Sequence, residues 1–132
     1  SSAASDEYKR QRDLYQGSLF KKSRQWCENN CDEWAILSAL HGLVMPNDVI
    51  SPYDLTLHNA PKKIIKTWSE KTHIQLRSKW KCNTPGVLFI ALAGVNYRTA
   101  LKDLPYTSPL KGLAIGWQLS WLTKQNNMYR ET

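Results

Sequence analysis

Ser38, His41, Asp48, Tyr53 and Asp54 fall within seventeen residues of one another. Among them are groups able to move a proton, hold a water or stack on a ring. His41 is the one that changes charge near neutral pH, so it can serve as acid, base or hydrogen-bond donor; equally, it can cap a strand–loop junction. Asp54 can activate water or accept from a sugar hydroxyl, or it can close an Asx-turn onto Thr56. Tyr53 can stack on a nucleobase or belong to the core. Gly42, without a Cβ, lets the backbone approach a ligand. Ser38 has no histidine–carboxylate pair at nucleophile spacing and no Gly-x-Ser-x-Gly elbow, so it reads as a binding residue.

These residues need elements to hold them. The apolar run Trp34–Ala39 is short enough for a strand inside a sheet, and residues 40–61, broken by Pro46, Pro52 and Pro61, follow as a long irregular loop. Aliphatic anchors such as Leu43, Val44, Leu55 and Leu57 argue that this loop is packed, and long packed loops are usually functional. Residues 87–94, Val-Leu-Phe-Ile-Ala-Leu-Ala-Gly, read as a central strand, apolar on both faces. Asn96, Tyr97 and Arg98 follow it at the carboxyl end, where open α/β sheets bind ligands. Arg98 there suits an oxyanion, and Gln118, near a glycine farther on, can read a base edge; both also make ordinary surface residues.

Helices fill the rest. Ser18 is placed to cap a helix over 19–30 with Leu19, Phe20, Trp26 and Cys27 inward. Residues 62–80 form a second, with Ile65, Trp68, Thr72 and Gln75 or Leu76 on one stripe. A short helix covers 97–104, and a last one follows Gly112 or Gly116. The alternation predicts an α/β fold: three layers, a short, mainly parallel sheet flanked by helices, in a single domain over 1–132. Residues 1–17 read as an extended arm or loop. Two strands make a thin sheet, and a further one is expected before Ser1.

The chain has 132 residues, 42% of them apolar, and a formal net charge of +7. That is ample for a core and far from a disordered composition. No apolar run reaches membrane-spanning length and no signal-peptide core is present, so no membrane partner and a cytoplasmic location are expected. The basic residues cluster: Lys21, Lys22 and Arg24 on the first helix; Lys62, Lys63 and Lys66 at the start of the second. Such clusters suit a phosphate backbone, bound without reading sequence, and also suit a plain solvated face. Cys27 and Cys31, four apart, share a helix face and are either half a metal site or two small thiols. With Cys82 they make an odd count, which excludes a secreted disulfide framework. There is no Walker loop, no dinucleotide Gly-x-Gly-x-x-Gly and no zinc-ligand set. Neither a cofactor nor a bound metal is expected.

Longer patterns resemble a known family. Leu14-Tyr15-x-x-Ser18, Trp34-x-Ile36-Leu37-Ser38-Ala39-x-His41-Gly42-Leu43-x-x-Pro46 and Pro52-Tyr53-Asp54-x-Thr56-Leu57 resemble an uncharacterised domain of bacteria and phages. Ala93-Gly94-x-x-Tyr97-Arg98-x-x-Leu101 and Gly112-Leu113-x-Ile115-Gly116-x-Gln118-x-x-Trp121-Leu122 extend the resemblance over essentially the whole chain. Members of that family usually open with a hydrophobic strand and a Cys- and Lys-containing loop, to which only Ser1–Ser5 corresponds here. They usually carry a lysine where this chain has Leu40. More distantly the pattern is similar to the uracil-DNA-glycosylase-like domain of archaeosine-synthesis enzymes and, loosely, to the peroxide-stress protein YaaA. The resemblance implies work on nucleic acid, nucleotides or bases.

Two functions are therefore expected. One is base or N-glycosidic-bond processing, a hydrolase-type activity with His41 and Asp54 catalytic and Ser38, Gly42, Tyr53, Asn96, Tyr97, Arg98 and Gln118 binding substrate. The other is a non-catalytic basic binder of nucleic acid or of a host protein. No oligomeric state is implied.

Overall fold

The computed structural model describes residues 9–10, 17–50, 55–80 and 86–131. In chain order these form β1 (Lys9–Arg10), α1 (Ser18–Asn30), β2 (Ile36–Ser38), β3 (Gly42–Val44), β4 (Val49–Ile50), α2 (Lys62–Trp80), β5 (Phe89–Ile90), α3 (Val95–Arg98), a 3₁₀ turn at Thr99–Leu101, β6 (Tyr106–Thr107) and α4 (Ile115–Glu131). The α/β class holds. The strands pair in three two-stranded ladders: β1–β4 and β2–β3 antiparallel, β5–β6 parallel. The chain divides into two compact units, one of Ser1–Ala35, Met45–Pro52 and Gly112–Thr132, the other of Ile36–Val44 and Tyr53–Lys111.

In the second unit α2 is the spine. Its period-3.6 stripe buries Trp68, Thr72 and Leu76. Trp68 and Leu76 join Leu57, Ala91, Ala100 and Leu101 in one core, with Leu37, Leu43, Phe89 and Tyr97 packed against it. The helix spans the residues that the sequence assigns to it, and the Pro61 carbonyl accepts its first bond, from the Ile65 amide at 3.1 Å.

Two readings of this unit change. Residues after Ser38 do not run straight into an irregular loop: Ser38 pairs with Gly42 across a three-residue turn, and the chain returns as β3. Gly42 at φ +77° supplies the left-handed residue that such a turn requires. The apolar run 87–94 is a strand at Phe89–Ile90 only, with β6 its one partner among the described residues. Leu88 is 60% exposed, so this strand is not the doubly covered centre of a wide sheet. Its hydrogen bonding extends from the Phe89 amide on the Pro105 carbonyl (3.0 Å) to the Ala91 amide on Thr107 (2.8 Å).

In the first unit α1 packs on α4. The rings of Trp26 and Trp121 lie 5.7 Å apart at 43°, Leu122 is fully buried, and the Asn126 amide donates to the Lys22 carbonyl at 3.2 Å. Gly17, in extended backbone, takes the N-cap position expected of Ser18 and makes no side-chain cap bond; Ser18 is the first helical residue. Ile115 and Trp117 of α4 stay largely exposed.

Candidate functional site

The β2–β3 turn is built from inside. Ser38, 1% exposed, accepts the His41 amide on its Oγ at 3.0 Å. Its carbonyl accepts Trp68 Nε1 at 2.8 Å. On the far strand Gln75 Oε1 accepts the Leu43 amide at 2.9 Å, and Gln75 Nε2 reaches the His41 carbonyl at 3.5 Å. A Cβ on Gly42 would run into Gln75 Oε1 and meet Thr72 Oγ1 at 3.0 Å. The close approach that Gly42 permits is therefore to α2 itself. The result is a braced turn with a half-exposed Leu40 at its tip and a half-buried His41 as its last residue.

A second clamp holds the exit of the 45–57 segment. The Leu57 amide donates to the Tyr97 hydroxyl at 3.1 Å, and Asn96 Nδ2 donates to the Leu57 carbonyl at 2.9 Å. Two adjacent side chains thus satisfy both polar groups of one residue some forty positions away. Thr56 Oγ1 lies 3.4 Å from the same hydroxyl and accepts the His58 amide at 3.1 Å in an ST-turn; the Asx-turn expected of Asp54 falls outside the described residues. Trp68 joins the clamps: its indole nitrogen holds Ser38, and its ring meets Tyr97 edge-on at 5.5 Å. Arg98 Nη1 donates to the Ala93 carbonyl at 2.8 Å, tying down the residues that follow β5.

The structure thus brings Ser38, His41, Gly42, Asn96, Tyr97 and Arg98 into one unit, around Trp68 and Gln75. Gln118, donating to the Leu113 carbonyl at 2.8 Å, belongs to the other unit, as do Lys21, Lys22 and Arg24. Tyr53 and Asp54 lie outside the described residues. Asp48 closes a turn through Oδ2 on the Met45 amide, 2.8 Å. Sequence reasoning passed over Ser69 and His73. Ser69 Oγ donates to the Thr99 carbonyl (3.1 Å), and His73 Nδ1 lies 3.0 Å from that of Ala100. A carbonyl only accepts, so His73 Nδ1 carries a proton. Their signal was present: polar residues beside a buried helical stripe have backbone partners more often than ligands.

The exposed side of α2 is basic. Lys62, Lys63, Lys66, Lys71 and Lys79 project with Arg77, and no acidic residue lies in the first turn. At the end of α1, the Cys31 amide donates to the Cys27 carbonyl at 2.9 Å, and the two thiols act on each other's ionisation. Burial, then the charge and hydrogen bond of Cys31, pushes the Cys27 thiol up to about 12. Cys31 is raised too, by burial, against the lowering effect of the hydrogen bond from Cys27. Among the described residues no group of three or more His, Cys, Asp or Glu is placed to hold a metal ion, and no helix is long and apolar enough to cross a membrane.

An α/β fold in which α2 braces a histidine-bearing turn while Asn96 and Tyr97 of α3 clamp the Leu57 backbone is thereby defined. The chain belongs to a family of unknown function, DUF6884, whose model matches residues 1–124. No curated protein and no solved structure matches it.

Proposed function

We propose that this protein is directed to nucleic acid or nucleotides. The observation that carries the reading is the charge on α2: six basic side chains against one acidic, five of the chain's seven net positive charges. Lys62 and Lys63 occupy the helix's first turn, where the dipole is positive and a cation is disfavoured by up to about 1 kcal/mol, and Lys66 follows one turn on. Helix stability alone disfavours that placement, whereas a phosphate backbone rewards both the lysines and the dipole. Lys21, Lys22 and Arg24 on α1 add further cationic contacts.

In the catalytic form of this proposal the protein processes bases or N-glycosidic bonds in the cytoplasm. Asp54 positions a water or sugar hydroxyl, His41 stabilises developing charge and Tyr53 packs on the base. The braced turn supports it by fixing His41, since catalytic groups need rigid backing. The distant likeness to the uracil-DNA-glycosylase-like domain points the same way. A non-catalytic binder is the second reading. It is favoured by the engagement of Ser38, Asn96, Tyr97 and Arg98 with the protein's own backbone, which leaves fewer groups for a substrate.

Incubation with DNA, RNA and free nucleotides, with mass spectrometry for released bases, separates the readings. Release by the wild type, abolished in folded His41→Ala and Asp54→Asn variants, establishes the catalytic form. Salt-sensitive binding without release establishes the binder. Absence of binding even at low salt overturns both.

A further inference from the structure

The end of α1 gathers features that the nucleic-acid reading does not use. Cys27 and Cys31 are one helical turn apart, joined through the backbone by the Cys31 amide on the Cys27 carbonyl at 2.9 Å. Both side chains are half-buried and free of disulfide, and the two thiols lie close enough to act on each other's ionisation. Cys31 leaves the helix in extended backbone, so its side chain is not bound to the regular helical row. We propose that Cys27 and Cys31 together bind one soft monovalent metal ion, of the copper(I) or silver(I) class, through their two sulfurs.

The surroundings favour a cation on three separate counts. A helix C-terminus is the negative end of the dipole, and no basic residue lies in the last turn of α1. The carboxylates of Glu28 and Asp32 act on the two thiols, Glu28 on Cys27 and Asp32 on Cys31. Glu28 is shared with Arg24 at 3.4 Å, on a weak, exposed pair. The donor set selects the ion. Thiolates prefer soft metals, and zinc in structural sites takes four ligands, whereas no group of three or more His, Cys, Asp or Glu is placed for it among the described residues. A two-coordinate ion needs only this pair. On binding, each sulfur gives up its proton to solvent and forms one metal–sulfur bond, with no change of oxidation state.

The test uses silver(I) and the full chain. Native mass spectrometry should find one ion retained by the wild type and by Cys82→Ser, and none by Cys27→Ser or Cys31→Ser. Alkylation by N-ethylmaleimide, mapped by peptide mass on the wild type, gives a readout that no folding defect can mimic. Silver should protect Cys27 and Cys31 and leave Cys82 reactive. Retention of the ion by both single variants, loss of it in Cys82→Ser, or protection of Cys82 alone would overturn the proposal.

Discussion

The two units are stabilised internally by different means. In the unit built on α2, buried and half-buried polar side chains reach across to backbone: Trp68 to Ser38, Gln75 to Leu43, Ser69 to Thr99, Asn96 and Tyr97 to Leu57. Among the described residues of the unit built on α1 and α4, the helices meet through the Trp26–Trp121 rings and the buried Leu122, with one cross-helix bond, from the Asn126 amide to the Lys22 carbonyl. Buried atoms without a hydrogen-bond partner occur in both units, Trp26 Nε1 and Asn126 Oδ1 here and Thr72 Oγ1 on α2. Apolar contact is non-directional and tolerates small shifts, whereas a side chain bonded to a distant amide fixes one backbone conformation. A turn that must present a histidine needs the second kind of support. The contrast places the precision of the molecule around β2–β3, and substitutions can break or sharpen it.

The largest effect belongs to Trp68→Ala. It removes a ring that is 8% exposed, the donor to the Ser38 carbonyl and the edge contact to Tyr97. The expected loss is about 3–5 kcal/mol in urea unfolding. A loss under about 1 kcal/mol would mean that the clamps are not joined through this residue. Gly42→Ala comes next. The new Cβ meets Gln75 at a positive-φ position, so a cost of about 1–3 kcal/mol is expected. Adding Gln75→Ala should relieve the clash but not the backbone strain.

How much of this was legible follows from which signals are local. The bounds of α2 could be read because Pro61 and a 3.6-residue stripe are local features. Membership of an uncharacterised family was legible along the chain as a whole. The β2–β3 turn was not, because His41-Gly42 reads equally as a loop start; only the left-handed φ of Gly42 settles it. Asn96 and Tyr97 stand out in sequence as polar residues beyond a strand end, expected to bind substrate; in the structure both bond the Leu57 backbone. Their partner, the Leu57 backbone, lies about forty residues away, and nothing in sequence records a pairing with a main-chain amide. The sequence leaves Gln75 or Leu76 open for the buried stripe; Leu76 takes it, and the half-buried Gln75 beside it bonds the Leu43 amide.

In the α1 unit the sensitive group is Cys27. Its thiol ionises at about 12 folded, against 9.0 as the reference for the unfolded chain. The folded state therefore keeps its proton where the unfolded chain has lost it. Stability is intact below pH 9 and falls as pH rises from 9 towards 12. Thermal unfolding at about pH 8 and about pH 10.5 should show a decline that is smaller in Cys27→Ala. An equal decline in the variant would assign it to other groups. The smallest effects come from orphaned atoms. Thr72 Oγ1 and Trp26 Nε1 are buried without a partner, so Thr72→Val should cost about 0.5 kcal/mol or less, or stabilise. Trp26→Phe should lose only packing. A larger cost for Thr72→Val in urea unfolding would show that its hydroxyl is bonded after all.

The central claim, a polyanion drawn to α2, is tested most directly by fluorescence anisotropy with a labelled oligonucleotide. Wild type and the Lys62→Glu, Lys63→Glu, Lys66→Glu triple variant would be titrated between about 50 and 200 mM salt. All three side chains are exposed, so the variant should remain folded. The wild type should bind with a steep salt dependence. The variant should bind more weakly, its slope of log affinity against log salt flatter by about 0.9 for each duplex phosphate no longer neutralised. Equal affinity and equal slope in the two proteins would contradict the account and return these lysines to ordinary solvated surface.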